Sequence, residues 1–91
     1  MVKIEGRNNK GKVRLFALST CIWCQKTRNL LDENQVGYEY IYVDQLSDSE
    51  RKTVLDEIQK LVSQVAFPTI DINGEVIQGF KEEEIRKALN L

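Results

Sequence analysis

The chain has 91 residues, a formal net charge of −1 and no histidine. That length suits one small domain, and hydrophobic and charged fractions of 42% and 30% are ordinary for a soluble globular protein. The small net charge gives no field that would attract nucleic acid or an acidic membrane, and the lack of histidine excludes Cys-His catalysis and imidazole metal ligands.

Two further features bound the cellular setting. No stretch approaches the roughly 20 apolar residues of a membrane span, and residues 6–12 are unlike the apolar part of a signal peptide. We therefore expect a cytoplasmic monomer that contacts neither membrane nor nucleic acid. In a reducing compartment, a close pair of cysteines is more often catalytic, redox-sensing or metal-binding than structural.

The first residues of the chain have an ambiguous pattern. Val2 and Ile4 alternate with charged residues, as in a short strand, but the glycine, asparagine and lysine residues that follow are typical of a flexible loop. We expect a loosely attached leader over residues 1–12 and one domain over residues 13–91.

A strand is predicted over residues 13–18. The segment is apolar apart from Arg14, and such a nearly continuous apolar run predicts a central strand buried on both faces.

A helix is predicted from Trp23 to Asn34, and Ser19 and Thr20 are placed to cap its exposed N–H groups. The helical period divides its residues between two faces. The core face holds Cys24, Thr27, Leu30, Leu31 and Asn34. The water face holds Gln25, Lys26, Arg28, Asp32 and Glu33.

Three more strands are predicted after this helix. Aromatic and β-branched residues dominate residues 38–43. The tyrosines that alternate there are given a structural role: Tyr38, Tyr40 and Tyr42. Residues 69–72 and 75–78 flank Asn73-Gly74, which is the strongest two-residue signal for a hairpin. These last two strands are therefore antiparallel neighbours.

Two more helices are predicted. Ser47 and Glu50 have the spacing of a capping box, and the apolar period that follows predicts a helix to about Val65. The last helix covers residues 81 or 82 to 89, with acidic residues at its start and basic residues at its end, as the helix dipole favours.

The predicted order of elements is β-α-β-α-β-β-α. The first β-α-β unit must be right-handed with parallel strands, and the hairpin adds an antiparallel pair. We expect an α/β fold in which a mixed four-stranded sheet is flanked by three helices.

The stretch that carries chemistry is Cys21-Ile22-Trp23-Cys24, where the first strand passes into the first helix. Exposed N–H groups and the positive end of the helix dipole favour negative charge there. Cys-x-x-Cys pairs at helix N-termini have thiol pKa values below the free value of about 8.5. Cys21, just outside the first turn, is the candidate nucleophile, and Cys24 is the candidate resolving thiol.

Four features in sequence order resemble the glutaredoxins. They are the Cys-x-x-Cys after the first strand, the lone Pro68 before the third strand, the Asn-Gly hairpin, and Gly79-Phe80 leading into the last helix. The likeness covers residues 13–89. It implies a thioredoxin-like fold and a thiol–disulfide oxidoreductase that reduces protein disulfides or glutathione mixed disulfides.

The same resemblance implies the binding residues. Pro68 would be cis and lie against the cysteines, which leaves the backbone N–H and C=O of Phe67 free for an extended peptide or glutathione. The residues assigned to substrate or glutathione are Trp23, Phe67, Pro68, Gly79, Phe80 and Lys81. No metal or tightly bound cofactor is implied, and glutathione or another small thiol is the expected co-substrate. Lys26 and Arg28 either add positive charge near the site or are simply solvated.

The sequence also resembles a second branch of redox proteins. Gln78-Gly79-Phe80-Lys81 resembles the corresponding turn of the ribonucleotide-reductase-linked redoxins, which look like glutaredoxins but are reduced by thioredoxin reductase. Ile22-Trp23 replaces the Pro-Tyr pair common in glutaredoxins, and Leu18 stands where they usually carry lysine. Thioredoxin reductase is therefore an alternative electron donor to glutathione.

Three alternatives to disulfide reduction stay open. The chain could be an iron–sulfur carrier, in which two protomers share a [2Fe–2S] cluster with one cysteine each and glutathione, as in some glutaredoxins. A zinc module would need four ligands, of which the Cys-x-x-Cys supplies two. In a purely structural domain the cysteines would be inert.

Overall fold

A computed structural model describes residues 1–91 of the chain. It contains five strands, three α-helices and one short 3₁₀ turn. In chain order the elements are β1 (Val2–Ile4), β2 (Val13–Ala17), α1 (Ile22–Glu33), β3 (Tyr38–Tyr42), the 3₁₀ turn (Val43–Gln45), α2 (Asp48–Leu61), β4 (Thr69–Ile72), β5 (Glu75–Gln78) and α3 (Glu82–Ala88).

The strands form one mixed sheet in the order β1-β3-β2-β4-β5. β2 and β3 are parallel, and every other neighbouring pair is antiparallel. The parallel β-α-β unit and the final hairpin are confirmed. In that hairpin Asn73 and Gly74 both have positive φ, at 53° and 93°, as the tight turn between twisted strands requires.

The sheet has five strands where the sequence predicted four. The extra strand is β1, in which Val2 lies opposite Tyr40 and Ile4 opposite Tyr38. The alternation of Val2 and Ile4 gives β1 an apolar face, and Ile4 packs against the main core cluster. Part of the predicted leader is therefore an edge strand. That residues 1–12 are loosely attached in solution stays a prediction.

The second helix ends earlier than predicted, at Leu61 instead of about Val65. Val62 is already extended, with φ −139° and ψ 155°. Val62 and Val65 still pack on the core outside the helix. β-branched residues have a weak preference for the helix. The two valines therefore contact the core from a segment that is not helical.

Two core clusters lie on opposite faces of the sheet. The larger faces α1 and α3, and its strand residues include Leu15, Ala17 and Ile70. The smaller faces α2 and consists of Phe16, Val43 and Ile58. Four of the five residues predicted to face the core on α1 are buried, namely Cys24, Thr27, Leu30 and Leu31. The fifth, Asn34, is half-buried.

Asn73 joins the leader to the β4–β5 hairpin. Its side-chain Nδ2 donates to the carbonyl of Lys10 at 2.7 Å, and its Oδ1 accepts from the N–H of Lys12 at 2.8 Å. Both bonds connect positions more than 60 residues apart in sequence. They hold the loop before β2 against the end of the sheet.

Replacing Asn73 should loosen this attachment. Asn73→Ala removes two hydrogen bonds and places a less tolerant residue at positive φ, so we expect a loss of about 2 kcal/mol in unfolding free energy. Asn73→Gly, which keeps the turn but loses the bonds, should cost about 1 kcal/mol. Urea unfolding measures both, and trypsin cleavage at Lys10 and Lys12 should be faster in each variant. Unchanged cleavage would contradict the role of this side chain.

Candidate active site

Cys21 is the N-cap residue of α1. Its backbone is extended, with φ −90° and ψ 117°, and its Sγ accepts a hydrogen bond from the backbone N–H of Cys24 at 3.2 Å. Sulfur thus occupies the position in which a cap oxygen normally satisfies the first turn. A negative charge on this atom would face the positive end of the helix dipole.

The predicted capping by Ser19 and Thr20 is wrong. The N–H of Ser19 donates to Asp44 Oδ1 at 2.9 Å, and its hydroxyl donates to Asp44 Oδ2. Asp44 lies in the 3₁₀ turn after β3, so the hydroxyl predicted to cap the helix instead bonds a residue 25 positions away in sequence. These bonds lower the pKa of Asp44 and fix the loop that leads into Cys21.

The two thiols differ in exposure. Cys21 is half-buried, whereas Cys24 is 1% exposed, and neither is in a disulfide. Burial raises the pKa of Cys24 to about 12, because a thiolate is costly in a desolvated place. Cys24 is therefore an uncharged thiol at neutral pH, and Cys21 is the thiol that is accessible from solution.

Phe67 and Pro68 lie just before β4. Their peptide bond is cis, as the resemblance implied, and Pro68 is fully buried. The carbonyl of Pro68 accepts from the N–H of Gly79 at 2.8 Å, which brings two of the predicted binding residues together. The backbone N–H and C=O of Phe67 have no partner, so they form a free edge.

The turn between β5 and α3 meets the start of α1. Gly79 has φ +85° there, a conformation that favours glycine. The rings of Phe80 and Trp23 are stacked, with centroids 6.2 Å apart and planes at 22°. Lys81 is exposed and serves as the N-cap position of α3 without a side-chain cap bond.

The rim beside Cys21 is apolar and open to solvent. Ile22 is 65% exposed and Trp23 is 53% exposed, although both types of side chain usually avoid water. Lys26 Nζ lies 5.0 Å from the centroid of the Trp23 ring, within the range of a cation–π contact. Exposed aromatic residues of this kind often mark contact surfaces.

Arg28 was predicted on the water-facing side of its helix, and this is wrong. Its Nε and Nη1 donate to the hydroxyls of Tyr38 and Tyr42 at 3.0 and 2.9 Å, and its Cζ lies 3.9 Å from the Tyr40 ring centroid. The structural role of the tyrosines is thus to hold α1 on β3. Alternating rings under a crossover helix were the available signal for this contact.

The side chains do not gather into a metal site. Nowhere in the chain do three or more cysteine, histidine or carboxylate side chains converge as such a site would require. None of the helices has the length and apolar character needed to cross a membrane.

Comparison with known proteins gives a consistent result. A family model described as Glutaredoxin matches residues 13–77. A curated relative from Clostridium pasteurianum, described as an uncharacterized glutaredoxin-like 8.6 kDa protein in the rubredoxin operon, is 29% identical over 77 residues. That match covers 85% of this chain and 96% of the relative.

Two solved structures are similar over almost the whole chain. Methanosarcina acetivorans methanoredoxin is 39% identical with a TM-score of 0.93, covering 100% of this chain and 97% of its own. The glutaredoxin of Methanosarcina mazei Go1 is 42% identical with a TM-score of 0.87, covering 98% of this chain and 86% of its own. These matches confirm the thioredoxin-like fold expected from the sequence.

The second branch considered from the sequence is more distant. The glutaredoxin-like NrdH-redoxin of Escherichia coli is 17% identical, with a TM-score of 0.66 over 85% of this chain. At that identity the likeness shows a shared fold and nothing further.

Proposed function

The chain belongs to the glutaredoxin family, and on that basis we propose that it is a thiol–disulfide oxidoreductase that reduces protein disulfides or glutathione mixed disulfides. The observation that carries this proposal is the difference in exposure and position between the two thiols. Cys21 is reachable at the N-terminus of α1, and Cys24 is buried one turn below it with its N–H on the Cys21 sulfur.

In the first step the Cys21 thiolate attacks one sulfur of the target disulfide. A bond forms between Cys21 and that sulfur, the target S–S bond breaks, and the other target sulfur leaves as a thiolate. The hydrogen bond from the Cys24 N–H and the helix dipole both stabilise negative charge on Cys21.

In the second step Cys24 attacks the Cys21 sulfur of the mixed disulfide. Cys24 gives its proton to solvent or to the thiolate released in the first step, the remaining target sulfur leaves, and a Cys21–Cys24 disulfide forms. Two thiols of this chain are oxidised and one target disulfide is reduced. For a glutathione mixed disulfide, Cys21 alone is sufficient.

The free backbone edge at Phe67 supports binding of an extended substrate. Its N–H and C=O are unpaired, and an extended peptide can satisfy both by adding a short strand-like segment. The stacked Trp23 and Phe80 rings and the turn at Gly79 and Lys81 are proposed to contact the substrate side chains.

The oxidised pair must be reduced again by two electrons. Glutathione or another small thiol is the proposed donor, and thioredoxin reductase is the alternative. Both leave the chain without a tightly bound cofactor in the proposed cycle.

The donor can be identified by two coupled assays run side by side. One supplies glutathione, glutathione reductase and a small mixed disulfide, and the other supplies thioredoxin reductase and a protein disulfide such as insulin. We expect NADPH consumption that rises with the concentration of this protein in at least one assay. If both are silent, and the pre-reduced protein also fails to reduce insulin stoichiometrically, the proposed activity is wrong.

A further inference from the structure

A polar groove leads away from the apolar rim, between α1 and α3. It has a volume of about 260 Å³, and Phe80, which stacks on Trp23, forms part of its wall. Lys26, Leu30 and Glu33 line it from α1, whereas Glu82 and Arg86 line it from α3. The groove therefore adjoins the Trp23 side of the rim beside Cys21.

The two walls differ in whether their charged side chains form ion pairs. On α3, Arg86 Nε and Glu82 Oε2 are paired at 2.9 Å, so that wall is internally neutral. On α1, Lys26 and Glu33 have no ion-pair partner. These two residues lie seven positions apart on one face of the helix, which separates them by about 10 Å along its axis.

The placement of charge on α1 also differs from that on the other helices. α2 and α3 begin with acidic residues and end with basic ones, as the dipole favours, whereas α1 has neither. Instead a cation, Lys26, lies near its start and an anion, Glu33, is its last residue. This order of charges is unfavourable for the stability of the helix. Such departures from local stability rules are expected at functional sites.

We infer that this groove binds the segment of a target protein that flanks its reactive cysteine, with an acidic target side chain against Lys26 and a basic one against Glu33. The inference rests on the proposed disulfide reduction. It identifies the protein substrates by the order of charged residues beside their reactive cysteine. Unpaired charges of fixed separation select a partner by complementarity and register. A small disulfide would not reach Glu33.

Two synthetic peptides of identical composition provide the probe. An extended chain advances about 3.3 Å per residue, so an acidic residue about two positions from the cysteine and a basic one about three positions further would match the groove. The first peptide is Lys-x-x-Glu-x-Cys-x-Glu-x-x-Lys, and the second exchanges its lysines and glutamates. The symmetric design serves either chain direction, and each peptide is used as a mixed disulfide with 2-mercaptoethanol.

The measurement is the second-order rate constant for reduction of each peptide by pre-reduced protein, with no external donor. The wild type is compared with the double reversal Lys26→Glu, Glu33→Lys. Intrinsic peptide reactivity cancels when the rate ratio of the two peptides in one protein is divided by that ratio in the other. Two exposed ion pairs reversed in sign should change this ratio about tenfold, and less at high salt.

A matched control carries an equivalent pair of charge reversals elsewhere. Lys52 and Asp56 are exposed on α2, which lies on the other face of the sheet. Lys52→Glu, Asp56→Lys keeps the same net charge and should leave the peptide ratio at the wild-type value. The double reversal on α1 corrects the charges at its ends, so its melting temperature should equal or exceed that of the wild type.

Four results would overturn the inference. These are an unchanged peptide ratio in the α1 reversal, an equal shift in the α2 control, a ratio shift that survives 0.5 M salt undiminished, and a wild-type dimer that the α1 reversal dissociates. The last would assign the groove to a second copy of this chain. If the wild type reduces neither peptide, the proposed oxidoreductase activity fails and the inference fails with it, which is a different result from equal reduction of both.

Discussion

Cys21→Ser should abolish disulfide reduction, with kcat/KM falling by about 1,000-fold or more. Serine keeps the size of the side chain but is a far weaker nucleophile and leaving group, and no other exposed thiol exists because Cys24 is buried. The measurement is reduction of insulin and of a glutathione mixed disulfide with whichever donor supports the wild type.

Cys24→Ser should separate the two substrate classes. Turnover of a glutathione mixed disulfide should continue, because the proposed reaction with that substrate requires only Cys21. Reduction of an intramolecular protein disulfide should stop after the first step, and the target should stay attached through Cys21. Intact-mass spectrometry without reductant would detect this adduct.

The contrast between the two variants is the informative result. Equal loss of both activities in both variants would indicate that the pair acts only as a dithiol, as a reductase-dependent redoxin would. Full activity of Cys21→Ser would contradict the assignment of the nucleophile. Because Cys24 is buried, its replacement also needs a thermal melt to show that the variant is folded, and Cys24→Ala is the second variant for that purpose.

Local sequence signals were sufficient for most of the fold. The Asn73-Gly74 turn and the helical period of α1 depend on neighbours within a few residues, and both were predicted correctly. The position of Cys21 at the helix N-terminus follows from the same local pattern. The helix that carries the Cys21–Cys24 pair can therefore be predicted from short-range signals.

The side-chain contacts that the sequence missed depend on distant partners. Ser19 has a helix within reach but bonds Asp44, 25 positions away. Arg28 has the spacing of a solvated residue but is drawn in by tyrosines of the adjacent strand. A hydrophobic period cannot show which polar side chain will find a distant partner, because such contacts are decided by strand order and packing.

Arg14 is the clearest such case, since it was the one exception in an apolar strand. Its Nη2 lies 2.7 Å from Asp71 Oδ2 and its Nη1 lies 3.0 Å from Glu57 Oε1. The side chains of Arg14 and Asp71 are 16% and 10% exposed, and Arg14 Nε is buried without a partner. The hydrogen bond that Arg14 donates to Asp71 raises the pKa of Arg14, so the guanidinium stays charged inside the fold.

Removing Asp71 should therefore be costly. Asp71→Ala leaves a largely buried cation with only the half-exposed Glu57, and we expect the free energy of unfolding to fall by about 3 kcal/mol in urea titrations. Glu57→Ala removes the other, more exposed partner and should cost about 0.5 kcal/mol. This second variant is the matched control, because it breaks an ion pair to the same arginine.

The double variant Arg14→Met, Asp71→Leu tests whether the charge itself causes that loss. Replacing a buried pair by apolar residues of similar size is often neutral, because neither charge has to be desolvated. We expect its stability to lie within about 1 kcal/mol of the wild type. Asp71 Oδ1 also accepts from the N–H of Gly74 at 2.9 Å, but Gly74 is exposed and water can replace that bond. A double variant as unstable as Asp71→Ala would instead assign the role of Asp71 to the hairpin turn.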